Sequence, residues 1–411
     1  MKRFFLLAGA ALGLISARAA DPSVSGVAIT QLSNRLVQVS YTLSNARAIV
    51  TPTFKLDGVA VDPQKVVSLG GDVRRVVAPG ARRFVWDPRA DWKEAEVTTD
   101  RLTVELKVWK VSAPPPKMVI DLDPIIETSP SNVLYYASEE ELPGGVGDAR
   151  YRNGKLLMTL IPAAEVRWRF GNGTAAASKY VTLSHDFYIS AFTFTRGQAQ
   201  VALGEIGYVA GTDYGDRALC PMETQYAKLR KGNVDGTATV VYGAEAIDAA
   251  CYLKTLRDHT GLPLDLPSEF QWEFAMRAGV SDAYPTSMNS YGWWGKGCKG
   301  SWGTCSPDQS WPCTRDCAHP VGLRTANAFG VYDIVGNVRE YTRTCWSDSI
   351  DTTEERDPEG TIPNRANATY RSDRHDSWKN GNAFYSRTSI WLASENNTIG
   401  FRLVLPVEKE D

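Results

Sequence analysis

The chain has 411 residues, 43% of them hydrophobic and 22% charged, with a formal net charge of -2 at pH 7. That length exceeds what one ordinary core organises and suits two domains. The near-neutral balance supplies no strong field, so binding to nucleic acid or to an anionic membrane is not expected.

Lys2 and Arg3 precede an apolar stretch from Phe4 to Ile15, followed by Ala17-Arg18-Ala19. This is the basic, apolar, A-x-A order of a secretory signal peptide. The apolar run is too short to span a membrane comfortably. Cleavage is expected after Ala19, where no Cys stands for lipid attachment, giving a soluble secreted or periplasmic protein with no membrane span.

Residues 20–111 read as strands and turns. In "LVQVSYTL" Val37, Val39, Tyr41 and Leu43 alternate with polar neighbours, as do Leu102, Val104, Leu106 and Val108 in "LTVELKVWKV". A period of two with one apolar face predicts half-buried antiparallel strands. Asp57-Gly58, Gly70-Gly71-Asp72 and Pro79-Gly80 mark the turns between them. The pattern suggests a small immunoglobulin- or fibronectin-like sandwich, and with no cluster of His, Cys or acids it reads as a spacer or docking module. "SAPPPK" then opens a Pro-rich linker expected over 112–130, and a second domain is expected over 131–411.

In that second part a helix is predicted over 266–279, "LPSEFQWEFAMRAG". Ser268 can cap it, Gln271 completes a capping box, and Gly279 offers the terminating position. Ala246, Ala250, Leu253 and Arg257 predict another over 244–258. Both read as packing elements.

Export would make the seven cysteines disulfide candidates. Cys298, Cys305, Cys313 and Cys317 fall close together at C-x6-C-x7-C-x3-C, a spacing that matches no usual zinc pattern and favours a disulfide-pinned loop. Cys220, Cys251 and Cys345 are scattered, and the odd total leaves at least one thiol unpaired within the chain.

"VYDIVGNVREY", residues 331–341, sets Asp333, Asn337 and Glu340 among Val331, Ile334, Val335 and Val338, which call for burial. A surface turn explains the polar residues and a core strand explains the aliphatics. A bound cation would explain both.

Several segments resemble, in order, motifs of the formylglycine-generating enzyme family, the sulfatase-modifying factors. "DLPSEFQWEFAMRAG" is similar to its R-L-P-T-E-A-E-W-E-x-A-x-R-G-G. "HPVGLRTANAFGVYDIVGNVREY" is similar to P-V-G…P-N-x-F-G-L-Y-D-M-x-G-N-V-W-E-W, and "TIGFRLV" to the closing G-F-R. "KLLMTLIPAAEVRWRFGNG" and "VTLSHDFYISAFTFTRGQ" resemble its opening strands, so the likeness covers roughly residues 155 to 405. The resemblance implies an irregular α+β fold related to C-type lectins. It also implies a calcium site formed by Asp333, the carbonyls of Gly336 and Val338, and Glu340, the mixed hard oxygens that Ca²⁺ takes. The alternative is a turn in which both acids bond backbone amides. A second family calcium site falls where this chain carries its Cys-rich insert, and no ligands carry across.

The family's oxidase reaction converts a substrate Cys to formylglycine with two copper-binding cysteines. The corresponding stretch here, "YRSDRHDSWKNGNAFYSR" at 370–387, contains none, and no Cys follows Cys345. Cu(I) needs soft ligands, so copper is not expected and the domain reads as non-catalytic. Arg371, Arg374, His375, Trp378 and Arg387 then become candidates for binding a protein or glycan partner, with His375 beside Asp373 and Asp376. An oxidase using another metal site, and a structural envelope component, are the competing readings.

Overall fold

The structure, a computed structural model, describes residues 20–32, 35–94, 96–123, 132–172, 178–207, 216–230, 249–279, 292–293, 318–347, 349–350, 352–358, 370–374, 387–391 and 398–408. The expected leader over 1–19, Cys298, Cys305, Cys313, Cys317, His375 and Trp378 lie outside them, as does the side chain of Arg371.

The first part of the chain is all β. Ser23–Gln31, Val37–Ser44, Gly80–Trp86 and Leu69–Gly71 form one antiparallel sheet in that spatial order. In a second sheet Ala48–Leu56 pairs with Leu102–Lys110 along one edge and with Val59–Ala60 and Val76–Val77 along the other. Strand alternation dictates which side chains meet. Val37, Val39, Tyr41 and Leu43 point inward against Phe54, Phe84 and Trp86, and the two sheets share this apolar core. Leu102 is buried, while Val104, Leu106 and Val108 are half-buried at the core's periphery.

The span expected as a linker is shorter than 112–130. Lys117–Asp121 is an inner strand of a five-stranded sheet, between Val133–Tyr136 and Lys155–Ile161, with Phe187–Ser190 and Val404–Pro406 beyond. Met118 and Ile120 pack into one core cluster and Val119 into another, so the strand is covered on both faces. Those apolar residues dominate over the preceding prolines once two neighbouring strands satisfy their backbone.

The helix Glu269–Arg277 carries the expected capping box, Ser268 Oγ accepting from Gln271 N at 3.1 Å and Gln271 Oε1 from Ser268 N at 3.0 Å. It ends one residue earlier than expected, with Ala278 rather than Gly279 as the first left-handed residue, at φ 51°. Of the helix expected over 244–258, residues 244–248 lie outside the described residues; the described helix is Tyr252–Thr260, with Cys251 extended at its N-cap and Gly261 stopping it. Its Leu253 and Leu256 join the largest core cluster.

Val166–Gly171 and Ser178–Leu183 form a ribbon whose Trp168 and Phe170 pack on Phe270 and Phe274 of the capped helix. The helix also packs against a sheet ordered Arg387–Trp391, Tyr370–Arg374, Arg339–Cys345, Ile399–Gly400. This brings the 331–341 loop and the ends of the 370–387 stretch to the same helix.

Candidate functional site

The 331–341 loop owes its shape to three left-handed residues, Asp333, Gly336 and Asn337, at φ 48°, 80° and 60°. Gly adopts that region freely, and Asp and Asn are the next most tolerant. The bends let Val331, Ile334, Val335 and Val338 all be buried while the polar residues between them turn inward too. Asn337 answers His319 as a strand would, accepting from its N–H and donating to its carbonyl, both at 2.9 Å. Burial and Arg324 hold the His319 imidazole down at about 4, so it is neutral at pH 7.

Glu340 is fully engaged. It accepts from Thr193 Oγ1 at 2.8 Å and Trp272 Nε1 at 2.6 Å, and both oxygens take Arg402 Nε at 2.9 and 2.8 Å. Arg402 is the arginine of the closing "GFR", and it is buried. Its other nitrogens donate to the carbonyls of Ser190, Ala191 and Tyr332 at 3.0, 3.2 and 2.7 Å. Asp333 is less well served. Oδ2 accepts from Gly322 N at 2.6 Å, while the buried Oδ1 has no hydrogen-bond partner among the described residues. Burial, with the Glu340 charge adding to it, pushes its carboxyl up to about 6 against the pull of the Gly322 amide and Arg402.

These atoms fit calcium on one side only. Asp333 Oδ1 is a buried hard oxygen without a partner, as a cation ligand would be. Glu340 already uses the roughly four acceptor positions of a carboxylate, and Arg402 already neutralises it. Among the described residues no group of three His, Cys, Asp or Glu converges on one point.

The second constellation is a buried lattice of charge. Arg374, fully buried, donates to Glu269 Oε1 at 2.8 Å and to Glu273 Oε2 at 2.7 Å. Arg387 donates through Nη2 to Glu269 Oε2 at 2.9 Å and through Nε to Oε1 of the same carboxylate. Arg277 donates to Glu273 Oε1 at 2.9 and 2.6 Å, and Gly171 N adds a further bond there at 2.9 Å. The Arg374 guanidinium also lies 5.3 Å from the Trp272 ring and 5.7 Å from that of Phe170. Burial alone would push Glu269 up, but Arg387 and Arg374 outweigh it and hold its carboxyl at about 2.

Two of the expected ligand-binding residues are therefore placed differently. Arg374 points into the interior and Arg387 lies mostly buried against Glu269, because the capped helix presents two carboxylates that need counter-charges. Asp373, on the opposite face of its strand, is also buried. Its Oδ2 lies 2.7 Å from Arg339 Nη1, and Thr388 Oγ1 donates to Oδ1 at 2.5 Å. Burial pushes its carboxyl up to about 6 although Arg339 pulls it down. Cys220 and Cys251 are buried.

Sequence reading took the capped helix for packing alone and missed Glu269, Glu273 and Arg402. The available signal was two Glu at i, i+4 on a helix whose other faces are filled by Phe270, Trp272, Phe274 and Met276. No face remained to carry those acids to water.

The protein resembles several known proteins. "Chaperone protein LppX" of Paenibacillus barcinonensis is 28% identical over 190 residues, which is 41% of this chain and 65% of that relative, so the likeness spans less than two thirds of its length. Among solved structures, Treponema denticola variable protein 1 aligns with a TM-score of 0.44 and 20% identity, over 61% of this chain and 95% of that one. PvdO from Pseudomonas aeruginosa aligns with a TM-score of 0.40 and 20% identity, over 61% and 94%. CarF aligns with a TM-score of 0.36 and 16% identity, over 61% and 98%. Residues 148–407 match the sulfatase-modifying factor enzyme 1-like domain, and the chain belongs to that formylglycine-generating-enzyme family.

Proposed function

We propose that the chain is an exported, non-catalytic binding or scaffold member of its family. In this reading an immunoglobulin- or fibronectin-like sandwich over 20–111 precedes a lectin-like α+β domain, with the prolines of 112–116 between them. The observation that carries the proposal is the chemistry of residues 370–387, which contain no Cys where the family places its copper thiolates. Arg374 and Arg387, which bracket that stretch, are engaged by Glu269 and Glu273. They serve as anchors for the strands, leaving Arg371, His375 and Trp378 as the proposed partner contacts. One relative bears the name of a chaperone, a role that consists of binding another protein. That supports a protein partner ahead of a glycan.

Calcium is proposed on the Asp333 side of the loop, held by Asp333 and the carbonyls of Gly336 and Val338, with Glu340 left to Thr193, Trp272 and Arg402. When bound there it would supply charge that neutralises Asp333 and ties down the loop. The clustered cysteines Cys298, Cys305, Cys313 and Cys317 are proposed to be joined among themselves as disulfides.

A competitive Cu(I) titration tests the non-catalytic reading. The protein is expected to bind Cu(I) no better than a Cys-free variant, since a soft ion needs converging soft ligands. A stoichiometric, tight Cu(I) site would overturn the reading and restore the oxidase.

A further inference from the structure

The two parts of the chain meet through more than their covalent connection. Gln64, in the short turn Pro63–Lys65 of the first part, donates through Nε2 to the carbonyls of Glu140 and Leu142 at 2.6 and 2.8 Å. Its Oε1 accepts from Gly144 N at 2.9 Å. One amide side chain thus satisfies three backbone groups of a segment in the second part. Gly144 has φ 75°, a backbone conformation that a residue with a Cβ would strain to adopt.

Arg74 adds a second point. It is only 3% exposed, and its carbonyl accepts from Tyr135 N at 2.7 Å. Its guanidinium lies 4.7 Å from the Tyr136 ring and 3.5 Å from Glu141 Oε2, which also accepts from Ala137 N at 3.2 Å. Near Tyr135, Arg47 pairs with Glu408 at 2.5 Å.

The prolines are held too. Pro114 and Pro115 are buried, Leu160 N donates to Pro116 O at 2.9 Å, and Tyr188 Oη donates to Pro115 O. A polyproline spacer keeps its backbone in water; this one is bonded into the second part.

We infer that the all-β part is docked rigidly on the family domain through Gln64, Arg74 and the pinned prolines, and that the two unfold as one cooperative unit. The surface concerned is an interface within the chain, and its occupant is the 135–144 segment. Gln64 and Arg74 are its determinants, since each meets several groups of the second part.

Calorimetry of the full chain tests this. Wild type is expected to show one transition whose calorimetric and van't Hoff enthalpies agree. A Gln64→Ala, Glu141→Gln double variant is expected to show two. Two transitions in wild type, or a single one in the variant, would overturn the inference. Should the double variant not fold, amide exchange in wild type decides the matter. The N–H groups of Tyr135 and Gly144 should be as protected as those of Ala48–Leu56, and rapid exchange at either would contradict the docking.

Discussion

Asp333 and Glu340 are both buried in one short loop, yet only Glu340 has a counter-charge in contact with it. Removing that partner is costly in either direction. Glu340→Ala strands the Arg402 guanidinium in the interior, and the expected loss is about 3–5 kcal/mol whether or not calcium is present; urea denaturation with and without EDTA measures it. Asp333 behaves oppositely. Its carboxyl, raised to about 6 from an ordinary 3.8, holds its proton to higher pH in the folded chain than in the unfolded one. The folded state therefore binds more protons between about pH 4 and 6, and stability falls as pH rises through that window. Asp373, also raised to about 6, adds in the same direction. Glu269, lowered from 4.5 to about 2, adds the reverse, with stability lost as pH falls through that range. In EDTA at pH 7, Asp333→Asn is expected to raise stability by about 2–3 kcal/mol, the free energy of a shift of that size. Calcium should then raise the Tm of wild type by mass action and leave that of the variant unmoved. A wild type indifferent to both calcium and EDTA would remove the cation from the loop.

At the scale of elements, the helix Glu269–Arg277 is the hub. It holds the strand Tyr370–Arg374 through two ion pairs and the strand Arg387–Trp391 through a third. Arg374→Ala leaves two buried carboxylates short of a partner and should cost about 3–5 kcal/mol. Arg387→Ala, at the partly exposed end, should cost less. A double-mutant cycle between Glu273→Gln and Arg374→Met would measure their coupling, and additive effects would show that the lattice is not a unit. The same helix ends on a strained Ala278, so Ala278→Gly should stabilise the protein by about 0.5–1 kcal/mol in thermal unfolding. Much of this element was legible: Ser268 and Gln271 announce its start, and Trp272, Ala275 and Met276 its apolar face. Its electrostatic role was not. The shared partner of Glu269 and Glu273, Arg374, lies about 100 positions further along the chain, at |i−j| of 105 and 101. Local pattern carries no information about such pairs. The strand Lys117–Asp121 was missed for a related reason, since the adjacent prolines signal a break while only distant strands supply its partners.

For the whole molecule, the sequence showed where one type of structure gives way to another but not that the two parts are fastened together. Gln64 and Arg74 sit in turns with no motif to mark them, and each acts across more than 60 residues. The family was legible because its motifs are contiguous. The proposed reading rests on the 370–387 stretch, which holds arginine, acid and aromatic residues and no Cys. The most direct test of that reading is incubation of the protein with a C-x-P-x-R sulfatase peptide and copper, followed by mass analysis of the peptide. The non-catalytic account predicts an unchanged peptide thiol at every time point. Conversion of the cysteine to formylglycine with turnover would contradict it.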